Sequence, residues 1–138
     1  MPAKPKFKIT RHADEKITVN IAAVDLGQID LLVQEGFYAT RTEFIRTAIR
    51  NHIATHADVI QKVSSQQTLV IGLRDFTLDE LESVKKSKQS LDIKILGLAR
   101  FAPDITPALV LATISSISVL GAIHASPEVK KALLTRVP

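Results

Sequence analysis

The chain has 138 residues, 46% of them hydrophobic, and carries a formal net charge of +4 from 18 Lys+Arg against 14 Asp+Glu. That length allows one ordinary domain or two small ones, and the mild basic excess suits a polyanionic partner. There is no Cys, which excludes thiolate metal sites, disulfides and cysteine nucleophiles. The excess is local: Lys4, Lys6, Lys8, Arg11 and Lys16 face only Asp14 and Glu15 in the first twenty residues. Residues 1–14 therefore read as a basic arm that follows a phosphate backbone, or equally, with Pro2 and Pro5 present, as a solubilising tail. Phe7 and Ile9 alternate with Lys6 and Lys8, which fits a short extra strand. No cationic stretch followed by an apolar one opens the chain, so no signal peptide is read.

Lys16-Ile17-Thr18-Val19-Asn20-Ile21 alternates with a period of two, placing Ile17, Val19 and Ile21 on one face of a strand and Lys16, Thr18 and Asn20 on the other. Leu26, Ile29, Leu32 and Val33 then recur at helical spacing, and Gly36 supplies the left-handed position that ends such a helix. A first helix is expected over Val24–Glu35, preceded by Ala22-Ala23 without a Ser, Thr or Asn cap. Thr40 with Glu43 is a capping box, followed by an apolar stripe of Phe44, Ile45, Ala48, Ile49 and Ile53 beneath Arg41, Arg46 and Arg50. The second helix is expected from Arg41 to about Val63. One strand and two helices are too little chain to close a core, so a partner copy must supply a second strand.

This order of strand, helix, Gly turn, capping box and helix resembles the ribbon-helix-helix family of DNA-binding regulators, of the Arc, MetJ and CopG type, over about a third of the chain. The resemblance implies a homodimer whose paired strands form a two-stranded ribbon in the major groove of double-stranded DNA. Lys16, Thr18 and Asn20 match the base-reading positions, where Lys can donate to guanine and Asn can bond adenine. Thr40, Arg41 and Thr42 match the phosphate clamp at the start of the second helix, with Lys8 and Arg11 as further phosphate contacts. Ile17, Val19, Ile21, Phe44, Ile45 and Ile49 make the expected dimer core.

Beyond a short polar linker at Ser64–Gln67, the sequence repeats itself. Ile93-Lys94-Ile95-Leu96-Gly97 lines up with Ile117-Ser118-Val119-Leu120-Gly121 at a spacing of 24 residues, and Leu69-Val70-Ile71-Gly72-Leu73 is an earlier copy offset by one. Each copy reads as an apolar strand followed by a helix, opened in turn by Thr77 with Glu80, by Thr106-Pro107 and by Ser126-Pro127-Glu128. Strands joined by crossover helices run parallel. The uncharged stretch from Ile105 to Ala125 is too interrupted by Thr, Ser and Pro for a membrane span and is expected as a buried helix followed by a buried strand.

The fold class is therefore α+β: an arm over 1–14, a ribbon-helix-helix domain over 15–63, and a small strand-helix repeat domain with parallel strands over 67–138. His52 and His56 stand four apart on one helix face, but two imidazoles with only Asp58 nearby make no specific site, and no metal or cofactor is expected. No nucleophile elbow, phosphate loop or zinc motif suggests an enzyme, and Asp104 and Glu128 read as helix-start charges. The expectation is a repressor in the bacterial cytoplasm, on the nucleoid, whose C-terminal domain joins dimers into tetramers or larger forms or senses an effector. Assembly is favoured, because the ligand set of nickel-responsive relatives is not visible. An antitoxin and a self-assembling structural protein are the alternatives.

Overall fold

The structure is a computed structural model that describes residues 14–138. The basic arm, with Lys8, Arg11 and the short strand expected around Phe7 and Ile9, lies outside the described residues. The described chain divides into two compact units, Lys16–Val63 and a second made of Ser64–Pro138 together with Asp14 and Glu15.

In the first unit α1 spans Ala23–Gln34 and α2 spans Arg41–Ala54. Ala22 caps α1 through its backbone alone, as the sequence implies. At the other end Gly36 adopts φ +85°, Gly36 N–H donates to Val33 O (3.1 Å) and Phe37 N–H to Leu32 O (3.0 Å). That pair of bonds closes the helix as a Schellman motif and explains why Gly is needed there. Residues 14–22 carry no helix or ladder pairing within the chain, so the expected strand over Lys16–Ile21 is not formed by one chain alone. Two strands are the least that can share ladder hydrogen bonds.

The second helix departs from expectation. It stops at Ala54, and α3 (Ala57–Gln66) begins after a turn at Thr55 and His56. Thr55 is responsible: its hydroxyl and its N–H both bond to His52 O (2.6 and 3.1 Å), which tightens the last turn and diverts the chain. Ser64–Gln67 is accordingly no extended linker. Its first three residues are the end of α3, and the chain reverses at Gln67 and Thr68, where Thr68 takes φ +54°.

The second unit holds three strands, β1 (Val70–Phe76), β2 (Leu91–Phe101) and β3 (Ile114–His124), each followed by a helix: α4 (Leu78–Lys86), α5 (Pro107–Thr113) and α6 (Pro127–Leu134). The sheet is parallel throughout in the order β1-β2-β3. All three expected caps are present, the hydroxyls of Thr77, Thr106 and Ser126 accepting from the N–H groups of Glu80, Leu109 and Val129. Helices α4, α5 and α6 lie side by side, and their Leu81, Leu109, Val110, Val129 and Leu133 form one core with Ile93, Ile95, Ala99, Phe101 and Ile117 of the strands.

The repeat is exact in register. Gly72 pairs with Gly97, and Gly97 with Gly121, so the three glycines form a row across the sheet. All three have positive φ, at +127°, +141° and +124°. A Cβ on Gly97 would lie 2.1 Å from Gly72 O, and one on Gly121 would lie 2.0 Å from Gly97 O, closer than any side-chain carbon can approach. Only glycine fits at β2 and β3 on both grounds.

Candidate nucleic-acid interface

Lys16, Thr18 and Asn20 are exposed along the segment that precedes α1. So are the apolar residues that alternate with them: Ile17 is 75% exposed, Val19 68% and Ile21 43%. Among the described residues of Lys16–Val63, Ile29 is the only buried hydrophobic. Among the described residues this unit thus presents an alternating apolar segment that is left exposed. Phe44 and Ile45 are half-buried and Ile49 is exposed, so the six expected dimer-core residues all retain accessible apolar surface. Tyr38, which the sequence reading did not single out, meets Phe44 edge-on at 5.0 Å between ring centres.

The start of α2 is built as a rigid corner. Thr40 sits in extended backbone, and its hydroxyl accepts from Glu43 N–H at 3.1 Å. Glu43 returns the contact to Ala39 N–H at 2.7 Å, one residue earlier than the usual capping box reaches. The first-turn N–H groups of a helix have no acceptor four residues back, so those of Arg41 and Thr42 point out of the helix end. They and the positive end of the helix dipole suit an anion.

Arg41 itself is already engaged. Its Nε and Nη2 donate to Asp30 Oδ1 and Oδ2 at 2.6 and 2.7 Å, tying α2 to α1 through a two-pronged pair with both side chains about half exposed. The hydrogen bond from Arg41 holds the Asp30 carboxyl below the ordinary aspartate range, with the attraction between the charges adding to it and desolvation opposing it. The same bond raises Arg41 further. Asp30 is the residue that sequence reasoning missed, since its role depends on how two helices pack and leaves no mark in spacing. The structure therefore brings Thr40, Arg41 and Thr42 together at one helix end, while Lys16, Thr18 and Asn20 stand in line on a separate segment.

The His52 and His56 rings approach to 5.2 Å between centres and lie nearly perpendicular. Among the described residues no cluster of three or more His, Asp or Glu side chains is arranged to hold a metal ion. Glu80, in the first turn of α4, is ion-paired with Arg74, whose guanidinium lies 4.5 Å from the Phe76 ring centre. Among the described residues no helix is long and apolar enough to cross a membrane, and Ile105–Ala125 resolves into α5 and β3.

Comparison with known proteins bears directly on this surface. A family described as "Ribbon-Helix-Helix transcriptional regulator family" matches residues 12–130. An uncharacterized protein of the archaeon Methanocaldococcus jannaschii is 32% identical over 75 residues, covering 50% of this chain and 76% of that protein. No solved structure matches the chain.

Proposed function

The chain belongs to the ribbon-helix-helix transcriptional regulator family, a family of DNA-binding regulators, and on that premise we propose that it is a homodimeric repressor that grips operator DNA with a two-stranded β-ribbon. Two copies pair through Lys16–Ile21 in antiparallel fashion. Ile17, Val19 and Ile21 then turn into a shared core with Phe44, Ile45 and Ile49, and Lys16, Thr18 and Asn20 turn into the major groove. Thr40, Arg41 and Thr42 hold a phosphate at the start of α2, with Lys8 and Arg11 adding to the backbone contacts.

The observation that carries this reading is the exposed alternation of Ile17, Val19 and Ile21 in a unit with a single buried hydrophobic residue. Such a unit gains too little from its own burial to fold alone. Residues 67–138, with a core of their own, serve to join dimers on neighbouring half-sites. That core also speaks against an antitoxin tail, because segments that wrap a toxin are commonly polar and unfolded alone. The site of action is the cytoplasm, on the nucleoid.

Selection of bound sequences from random DNA by the purified protein tests the proposal. A palindromic or tandem motif, bound more tightly than bulk DNA at fixed salt, is the expected outcome. Enrichment of no motif at all removes the repressor reading.

A further inference from the structure

The two edges of the parallel sheet are unlike each other, and each has what the other lacks. On the outer edge of β1, Val70 is 59% exposed and Ile71 58%. Gly72 keeps the same positive φ as Gly97 and Gly121, yet among the described residues nothing lies within 4 Å of a Cβ built on it. At β2 and β3 that space is filled by the glycine carbonyl of the preceding strand. Gly72 thus has the backbone of a strand with a predecessor, and the described chain gives it none.

The outer edge of β3 is an open apolar groove, lined by Val119, Gly121 and Ala122 of the strand and by Leu133 and Leu134 of α6. Along β2 the corresponding edge is occupied by β3 itself, in the register Ile95 with Val119, Leu96 with Leu120, Gly97 with Gly121 and Arg100 with His124. The preceding junction has the same register, with Val70 beside Ile95, Ile71 beside Leu96, Gly72 beside Gly97 and Asp75 beside Arg100. Both junctions are copies of one interface, and among the described residues the rows end at β3.

We propose that β3 of one molecule pairs in parallel with β1 of a second copy of this chain, head to tail, so that Gly72 of the second copy takes its place beside Gly121. Val70 of the second copy enters the groove next to Val119, and the Gly121 carbonyl fills the space that a Cβ on that Gly72 would need. Asp75 of the second copy, which accepts from Arg100 Nε at 2.7 Å within one chain, would stand in the same row beside His124, whose ring is paired with Glu15 of its own chain. An open parallel edge carries unpaired N–H and C=O groups that a second strand satisfies. The inference rests on the assembly role given above to residues 67–138 and names the surfaces that perform it.

The test is sedimentation velocity on the full chain with one variant at each edge, Val70→Glu and Leu134→Glu. Both side chains are exposed, Leu134 at 71%, so neither change touches the core. Ile71→Glu and Leu120→Glu form a second pair should either of the first fail to give the parent's circular dichroism spectrum. The parent should sediment as a species larger than a dimer, and each variant alone should fall to the dimer. An equimolar mixture should regain the larger species, because each variant keeps the edge that the other lacks. A parent no larger than a dimer overturns both the inference and the assembly role. Variants that remain as large as the parent overturn the head-to-tail contact, as they would if the first thirteen residues occupied the β1 edge. Variants that shrink without recovery on mixing show like edges pairing, which overturns the inference and leaves the assembly role standing.

Discussion

Asp30 holds Arg41 by both guanidinium prongs, at 2.6 and 2.7 Å, across eleven residues of sequence. The pair joins α1 to the end of α2 at which a DNA phosphate is proposed to bind, so the carboxylate competes with the phosphate for one cation. Asp30→Asn should therefore strengthen DNA binding at low salt and steepen the salt dependence of affinity by about one phosphate contact. Gel shifts over a range of salt concentrations measure both. Weaker binding by the variant would mean that Asp30 aims Arg41 at the phosphate.

The same pair fixes a pH response. Arg41 holds the Asp30 carboxyl lower in the folded protein than in the unfolded chain. Its contribution to stability is complete above the unfolded value, about pH 4, and is lost as the pH falls through the folded one. A carbon-detected titration of the Asp30 carboxyl should give a midpoint below that of an exposed aspartate. Arg41→Gln should return it to the ordinary range.

Replacing Lys16 or Asn20 by Ala should relax base preference at one operator position and cost about 1 to 3 kcal/mol per lost two-pronged base contact. Both side chains are exposed, so thermal stability should change little. Variants that discriminate DNA as sharply as the parent would place the reading face elsewhere.

Val19→Asp places a carboxylate where the paired ribbon would bury it without a partner. Folding of the Lys16–Val63 unit and dimerisation should be lost together, read by circular dichroism and light scattering. A folded monomer carrying this change contradicts the intertwined dimer.

Gly97→Ala should destabilise the Ser64–Pro138 unit by more than about 4 kcal/mol, because the added carbon meets the Gly72 carbonyl oxygen at 2.1 Å. Gly72→Ala meets no described atom and should cost only the strain of a positive φ, about 1 to 3 kcal/mol. Denaturant unfolding of the two variants separates steric from conformational loss.

Much of this was legible in the residues themselves, because the signals are local. Thr40 with Glu43, Gly36, and the openings at Thr77, Thr106 and Ser126 each act within one turn of helix, and each is found where the sequence puts it. The spacing of Gly97 and Gly121 carried further, giving the register of two strands from a repeat alone. The break at Thr55 was hidden, since Thr is tolerated inside helices and its hydroxyl can bond back or turn away. Asp30 was hidden for another reason: nothing near it in sequence says which helix end it will face. The strand expected over Lys16–Ile21 marks the limit of reading a single chain, because the hydrogen bonds proposed for it belong to a ribbon of two chains.

The glycine row also sets the grain in which this half of the protein can change length. Each strand-helix copy brings its own glycine into line with the one before it. Duplicating a whole copy adds a strand and leaves every existing side chain on its present face. A single residue inserted in β2 ahead of Gly97 turns every later side chain of that strand to the opposite face and carries Gly97 out of the row, so that a Cβ-bearing residue meets the Gly72 carbonyl. Insertions and deletions should accordingly be confined to the turns between elements or arrive as complete copies at the open ends.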